Sequence, residues 1–242
     1  MLVNLSYSQV IPTLKPRIGK VLDFGSEVQK EWEIRDKALG DMSQGIRSWD
    51  KLSPKEKSII EKYGEVYDDM WDIVGGGCSW YCGGGLDTQT ASSELTSQGN
   101  NTYLAKNAHD LSYETAWVEG VAGYGIGEYL EYRIKPENPR ITEIIIVNGY
   151  VKSDLAWKNN SRVKKLKLYK DEKPYAILEL EDTTAEQHFK IDPIGYSDRK
   201  NHELLQKKPE FVLKFEIVEV YPGLKYDDTV ITEIYFNGID VH

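Results

Sequence analysis

The C-terminal two-thirds of the chain carries a pattern of apolar and polar positions that is typical of β-strands. Apolar residues alternate with polar ones, or β-branched residues follow one another, in residues 128–134, 141–147, 163–169, 175–180, 211–220 and 230–236. The pattern from Thr90 onward predicts eight or nine short strands. Because most of them have no helical pattern between them, an antiparallel sandwich or barrel is favoured over a parallel α/β fold.

The N-terminal third has a different pattern, which predicts an extended segment followed by two helices. Pro12 and Pro16 interrupt the first residues, where little periodicity is visible. A first helix is expected over about Glu27–Leu39, with Ser26 as its N-cap and Gly40 as its end.

The second helix has the clearer start signal. Ser53, Pro54 and Glu56 stand at the N-cap, N1 and N3 positions of a capping box. Apolar residues then recur at helical spacing as far as Val74, and glycines 75–77 are expected to end the helix. Its broad apolar face predicts packing against the first helix and the following domain rather than against a ligand.

Charge and composition narrow the function classes. Asp and Glu (39) outnumber Lys and Arg (30), and the net charge of −9 argues against nucleic acid as a main partner. No stretch approaches the ~20 apolar residues that a membrane span requires. The 16 Tyr and 6 Trp, against 5 Phe, suit sugar binding or protein binding, and equally a sandwich with half-hydrated sheets.

The N-terminal residues 1–9 lack the basic and apolar regions of a signal peptide. Two expectations follow from this. Either the chain is cytosolic, or a leader has been removed from it.

Motifs of catalysis or metal binding are few. Cys78 and Cys82 form a CxxxC spacing flanked by glycines, which is not a thioredoxin-type CxxC and has no nearby His to complete a zinc site. A disulfide between them and two buried thiols both stay open. The four histidines form no metal-binding pair, and the glycine-rich residues 123–128 precede a strand rather than the helix that a phosphate cradle needs.

The segment 105–117, which contains Asp110, Thr115 and Trp117, resembles the signature of discoidin-like, galactose-binding-type jelly rolls. A wider match is similar to the branch called the NADase-type glycan-binding domain, and the resemblance covers roughly Thr90 to Asn237. The segments that carry the wider match are residues 115–120, 123–128, 148–153 and 159–166.

The resemblance implies a mainly β fold, with a discoidin-like jelly-roll β-sandwich over residues 89–242 and a helical appendage over residues 1–88. It also implies a non-catalytic module that binds carbohydrate through loops at one end of the sandwich. The branch occurs in bacterial surface proteins, so an extracytoplasmic location is expected. The glycohydrolase activity of the branch's name belongs to a separate catalytic domain, so no enzyme activity is expected here.

The loops of the matching region supply the candidate glycan contacts, because sugars bind aromatic faces and planar polar groups. The candidates are Glu119, Tyr124, Tyr150, Lys152, Trp157, Asn159, Asn160 and Arg162. Each also has a structural interpretation. Glu119 could pair with Lys152 or Arg162, Tyr150 could pack on the sheet, and the resemblance places Trp117 in the core.

Discoidin-like domains often hold a structural calcium ion, and the matching positions are Asp110 and Glu233. The Thr115 hydroxyl and nearby backbone carbonyls could add to an oxygen shell, which suits a hard cation. Leu111 stands where the pattern has Gly. In the alternative interpretation, Asp110 only caps its turn by accepting backbone N–H groups.

Two further functions stay open. The N-terminal helices and the aromatic loops would also fit a protein-interaction adaptor that binds no sugar. Loop carboxylates such as Glu119 with Glu128 could act as acid and base on a glycoside, which is the less favoured hypothesis. A concave loop end around Tyr124, Trp157 and Arg162, with an exposed ring beside a polar fork, favours sugar binding. A flat end with its rings buried favours the adaptor.

Overall fold

A computed structural model describes residues 11–64, 69–73 and 79–241. Within these residues the strands are β1 (Thr13–Leu14), β2 (Arg17–Val21), β3 (Leu86–Ala91), β4 (Trp117–Val118), β5 (Tyr129–Ile134), β6 (Arg140–Asn148), β7 (Ser161–Lys170), β8 (Lys173–Glu179), β9 (Ala185–Ile194), β10 (Phe211–Tyr221) and β11 (Thr229–Ile239). The α-helices are α1 (Ser26–Ser43), α2 (Pro54–Tyr63), α3 (Asp154–Asn159) and α4 (His202–Gln206).

The strands form one folded sheet with two halves. One half runs β2-β9-β6-β11 with β4 beside β11, and the other runs β7-β10-β5-β3 with β8 beside β7. Neighbours within each half are antiparallel, apart from β1, which pairs in parallel with β8. The halves are joined where Thr229 and Val230 pair in parallel with Ser161 and Arg162. The predicted sandwich is therefore confirmed.

Side chains from both halves meet in one core. The ring of Tyr132 on β5 lies 5.7 Å from that of Phe236 on β11, in the opposite half. Trp80 is fully buried 5.5 Å from Phe236, and its indole N–H donates to the carbonyl of Pro139 at 2.8 Å. Trp117 is also fully buried, and its indole N–H donates to the carbonyl of Ser93. The core position expected for Trp117 is confirmed.

The first helix differs from its prediction at both ends. Gly25 is the N-cap and makes no side-chain cap, so Ser26 is the first helical residue rather than the capping one. The helix continues through Gly40 to Ser43, and Gly45 follows with φ +70°. One glycine inside a helix costs only about 1 kcal/mol, which a helix of this length can absorb.

The second helix begins as predicted but ends earlier. The Ser53 hydroxyl accepts from Glu56 N at 3.2 Å, and the Glu56 carboxylate accepts from Ser53 N at 2.7 Å. The helix ends at Tyr63, and Gly64 turns the chain with φ +82°. The predicted continuation to Val74 is wrong, because Asp72 forms a β-bridge with Ser112 instead. Val74 and glycines 75–77 lie outside the described residues.

Strands β1 and β2 join the N-terminal segment to the sandwich, since they pair with β8 and β9. The two helices pack on each other through Ala38 and Ile60, together with Leu52 from the connection between them. The domain boundary predicted between residues 88 and 89 falls within β3 and stays a prediction. In the described part of the chain, no helix is both long enough and apolar enough to cross a membrane.

Candidate functional site

One end of the sandwich is formed by three chain segments that lie side by side: residues 95–103, 149–160 and 222–228. The second and third are tied together because Asn159 O accepts from Tyr226 N at 2.9 Å and Lys158 O accepts from Leu224 N at 2.9 Å. Gly223 permits this approach, since a Cβ there would collide with the Asn159 carbonyl. Backbone hydrogen bonds thus set the shape of this end.

Between these segments lies a pocket of about 310 Å³, called here the loop-end pocket. Its described lining residues are Leu95, Gln98, Tyr103, Val118, Tyr150, Ser153, Leu155, Ala156, Asn159, Asn160, Tyr226 and Asp228. This part of the loop end is therefore concave, although the concave surface was expected around Tyr124, Trp157 and Arg162, which are not among the described lining residues.

Three tyrosines form the aromatic part of the pocket. Tyr103 is largely buried, Tyr150 is half-buried, and Tyr226 is 41% exposed. Burial raises the pKa of Tyr150 to about 12, with smaller contributions from Tyr103 and Glu114, so its phenol is neutral at physiological pH. Tyr150 packs against the cluster of Tyr103, Val118 and Val230 as well as lining the pocket. Its expected packing role and its candidate binding role are compatible.

Amide and hydroxyl groups form the polar part. Asn159 and Asn160 come from the predicted set, and Gln98 and Ser153 join them. The Asn160 amide donates to Ala156 O at 2.8 Å, and the Ser153 hydroxyl caps α3 by accepting from Ala156 N. Their positions are therefore held by local hydrogen bonds. Asn159 fixes the neighbouring loop through its carbonyl, which leaves its side chain for the pocket.

Sequence reasoning missed Tyr103, Tyr226 and Asp228. Tyr226 and Asp228 lie in the polar loop just before the last strand. An aromatic and an acidic residue in such a loop could have been recognised as candidate ligand contacts from the sequence. Tyr103 gave none, because it is brought to the pocket only by the pairing of its carbonyl with Val118 N.

Arg162 and Trp157 are placed beside the pocket rather than in its wall. Arg162 is buried, and its guanidinium donates to both carboxylate oxygens of Asp182 at 2.9 and 3.0 Å and to Asn160 O at 3.0 Å. It also stacks over the Trp157 ring at 4.5 Å. The indole N–H of Trp157 donates to Asn148 O. This guanidinium holds the loop in shape with its own donors.

Glu119, Lys152 and Tyr124 are not among the described lining residues of the loop-end pocket. Glu119 is fully buried and accepts from Val121 N at 2.9 Å and Thr229 N at 3.2 Å. Burial raises its pKa, and these hydrogen bonds lower it in part. The ion pair considered for Glu119 is wrong, because Lys152 pairs with Glu114 at 3.1 Å and Arg162 with Asp182.

Tyr124 is exposed in the loop between β4 and β5, and only its backbone carbonyl is bound, by the Thr229 hydroxyl. The other carboxylate of the acid–base hypothesis, Glu128, accepts from the Ser92 hydroxyl at 2.5 Å. Glu119 and Glu128 are thus each held by hydrogen bonds of the fold. They do not line the described wall of the loop-end pocket.

The predicted calcium residues lie together near the last strand. Asp110 accepts from Ser112 N at 3.1 Å and from the Thr115 hydroxyl at 2.5 Å, so it does cap its turn. Leu111 adopts φ +60°, the left-handed region that Gly favours. Leu111 thus adopts a conformation that Gly reaches without strain, at a cost of about 1–2 kcal/mol for a residue with a Cβ.

Glu233 is fully buried, and neither of its carboxylate oxygens accepts a hydrogen bond of ordinary geometry from the described residues, although backbone N–H groups of residues 110–112 lie close enough to act on its charge. Burial raises its pKa well above the ordinary value, and the charge of Asp110 raises it further, while backbone N–H groups of residues 110–112 act in the opposite direction. Two carboxylates of this kind, with the Thr115 hydroxyl, fit a hard cation.

His109 does not satisfy Glu233, although Nδ1 lies 3.9 Å from Glu233 Oε1. Burial lowers the pKa of His109 to about 4, and its Nδ1 lies 2.6 Å from Ile234 O. A carbonyl only accepts, so Nδ1 carries the proton and donates it there. The described residues hold no cluster of three or more His, Cys, Asp or Glu side chains suited to a metal, so backbone carbonyl and hydroxyl oxygens would have to complete a shell.

Cys78 lies outside the described residues, and the disulfide between Cys78 and Cys82 stays a prediction. The neighbouring Trp80 is buried in the sandwich core.

Comparison with known proteins identifies the family. Residues 80–237 match the family model of the NAD glycohydrolase translocation F5/8 type C domain. No curated protein matches the chain.

Solved structures from Clostridium perfringens are similar. The CBM32-1 and CBM32-2 domains of ZmpB are 15% identical, with a TM-score of 0.44 over 63% of this chain and 34% of that one. CpGH89CBM32-5, in complex with GalNAc-beta-1,3-galactose, is 17% identical, with a TM-score of 0.42 over 62% and 94%. The family 32 CBM of NanJ, in complex with galactose, is 16% identical, with a TM-score of 0.41 over 62% and 91%.

This chain thus spans about a third of the ZmpB structure. The family model covers well over half of the chain and includes the segment around Asp110 and Trp117, where the discoidin-like signature was recognised. The chain therefore belongs to the NAD glycohydrolase translocation F5/8 type C domain family.

Proposed function

We propose that this protein is a non-catalytic carbohydrate-binding module that holds a glycan in the loop-end pocket. The observation that carries the proposal is the pocket itself, where the rings of Tyr150 and Tyr226 stand beside the amides of Gln98 and Asn159. Its volume of about 310 Å³ is at the small end of ligand sites, which suits one or two sugar rings.

The two kinds of side chain match the two faces of a sugar. An aromatic ring packs on the C–H face, and planar amides bind pairs of hydroxyl groups. The phenols of Tyr103 and Tyr150 add donors at the pocket floor. Since the wall is shaped by backbone hydrogen bonds between loops, the site is preformed and loses little entropy on binding.

The number of carboxylates in the pocket favours a binding role over a catalytic one. Hydrolysis of a glycoside ordinarily needs two carboxyl groups that flank the scissile bond. Among the described lining residues of the pocket, Asp228 is the one carboxylate. A glycan ligand also fits an extracytoplasmic location, which is part of this proposal.

We also propose a structural calcium ion at Asp110 and Glu233, with the Thr115 hydroxyl nearby. The buried, unpartnered oxygens of Glu233 support it, because a cation would offset both their desolvation and the repulsion from Asp110. The ion would hold the loop at residues 110–115 against the last strand.

The protein-adaptor alternative has less support. The apolar face of α2, at Ile59 and Ile60, is buried within the chain, and Ile60 packs with Ala38 of α1. The apolar face of α2 is therefore not free to bind a partner.

The proposal is tested with a glycan array followed by calorimetry on the intact protein. Tyr150→Ala should weaken binding of any array hit about tenfold or more, because the variant loses the buried area of the ring and the ~0.5–1.5 kcal/mol that a stacked ring contributes in addition. Tyr124→Ala is the matched control, since Tyr124 is exposed outside the pocket and should leave affinity unchanged. A folded protein that binds no glycan, or equal losses in the two variants, would contradict the proposal.

A further inference from the structure

Asp228 gives the loop-end pocket a negative charge without a compensating cation. It is the only charged residue among the lining residues that the structure describes. Burial raises its pKa and the neighbouring Asp227 raises it further, whereas no cation lowers it. A half-buried carboxylate of this kind is an acceptor that gains from a positively charged ligand.

Two of the cations near the pocket are already engaged by carboxylates. Lys152 pairs with Glu114 and Arg162 with Asp182. The ammonium of Lys225 lies 4.7 Å from the centre of the Tyr226 ring, and Lys225 is not among the described lining residues of the pocket. No Lys or Arg is among the described lining residues, so the pocket wall has no positive group to bind an acidic sugar.

The aromatic wall also attracts a cation. Tyr103, Tyr150 and Tyr226 all line the pocket, and a ring face is the negative end of the aromatic quadrupole. The ammonium of Lys225 over the Tyr226 ring is a contact of this kind. The net charge of −9 also attracts a positively charged ligand, over a longer range.

We infer that the loop-end pocket selects a sugar that carries a free ammonium group, such as a glucosamine unit, over its N-acetylated and acidic counterparts. This inference rests on the proposed function and assigns its substrate class. Asp228 would accept the ammonium hydrogens, while the tyrosine faces and the Asn159 amide would hold the ring.

Calorimetry on the full chain tests the inference with three soluble probes: a glucosamine trimer, the N-acetylglucosamine trimer and a galacturonic acid trimer. The wild-type protein should bind the glucosamine trimer about tenfold more tightly than the N-acetylated one, which is the effect of one charge-assisted hydrogen bond. The galacturonic acid trimer should bind most weakly. Higher salt should reduce the preference.

Asp228→Asn keeps the shape of the side chain and removes its charge. The ratio of the two affinities should fall to about one, while binding of the N-acetylated trimer is kept. Asp227→Asn is the matched control, because Asp227 is exposed beside the pocket and should leave most of the preference intact. Equal unfolding temperatures verify that both variants are folded.

The outcomes separate the two proposals. Equal affinity of the wild-type protein for the amino and N-acetylated trimers, or an unchanged ratio in Asp228→Asn, overturns the inference and leaves the sugar site standing. If no sugar of any charge binds the folded protein, the proposed function fails and the inference fails with it.

Discussion

Individual buried polar side chains hold the loops around the pocket in place through their hydrogen bonds. Arg162 uses its guanidinium on Asp182 and Asn160, and Glu119 uses its carboxylate on two backbone N–H groups. Leaving such a group without its partner costs more free energy than the hydrogen bond itself contributes. These residues therefore matter for the shape of the site although the described pocket wall does not include them.

Arg162→Ala should lower the free energy of unfolding by about 2–3 kcal/mol, because it removes the bidentate pair with Asp182 and the stacking on Trp157. Lys152→Ala is the control. Its ion pair with Glu114 is substantially exposed and should contribute less than about 1 kcal/mol. Urea unfolding of both variants measures the difference, and equal losses would refute the structural role of Arg162.

Glu233 allows a test of the calcium proposal. Calcium at a hundredfold excess over its Kd should stabilise the wild-type protein by about 2.7 kcal/mol, which raises Tm by roughly 5–10 °C. The chelator EDTA should reverse the shift. In Glu233→Gln the response should be lost.

Thermal unfolding with and without calcium makes this measurement. Glu203→Gln is the control, because Glu203 is exposed in α4 and far along the chain from the proposed shell. A wild-type Tm that does not respond to calcium would contradict the site, as would an undiminished response in Glu233→Gln.

Local signals determine the starts of elements better than their ends. The capping box at Ser53 and Glu56 involves neighbours in sequence, and the prediction of the start of α2 is confirmed. The end of α2 at Tyr63 was not foreseen, because the apolar periodicity continues past Gly64 even though the chain turns there. The short strands β1 and β2 were also missed, since their partners β8 and β9 are more than 150 residues away.

Ser53→Ala should destabilise the helical appendage by about 1 kcal/mol, because it removes the N-cap hydroxyl from Glu56 N. Ser58→Ala is the matched control, since Ser58 is exposed in the middle of α2 and Ala is the better helix former. Hydrogen exchange of the α2 amides reports the difference. Equal protection in the two variants would contradict the role assigned to the cap.

The same helix should respond to acid. Hydrogen bonds from the backbone and side chain of Ser53, and then from Arg47, lower the pKa of Glu56 to about 2. A depressed carboxylate pKa stabilises the folded form above the ordinary value of 4.5, and this stabilisation is lost as the pH falls from there toward about 2. Exchange protection of α2 should fall over that range in the wild-type protein. In Glu56→Gln it should change much less, and an identical pH profile in both would refute the assignment.

At the scale of the whole molecule, the sequence predicts the sandwich but not the pocket. Strand periodicity and the motif around Asp110 and Trp117 are properties of neighbouring residues, and they led to the correct fold and family. The pocket joins Tyr103, Tyr150 and Tyr226 from segments far apart in sequence. Their meeting depends on the register of β11 with β4 and β7, which periodicity alone does not define.

For the same reason the candidate residues separated into two groups. Tyr150, Asn159 and Asn160 line the pocket, whereas Arg162 is used by Asp182, which lies in the connection after β8. A residue type indicates what a side chain can bind. Which partner it actually contacts depends on the fold.

The most direct measurement is a titration of the ¹⁵N-labelled protein with the best array glycan, followed by amide chemical shifts. The account predicts shifts concentrated in residues 95–103, 149–160 and 222–228, with α1, α2 and the outer sheet faces unchanged. Saturable shifts centred on the helices or the outer faces, with none at the loop end, would contradict it.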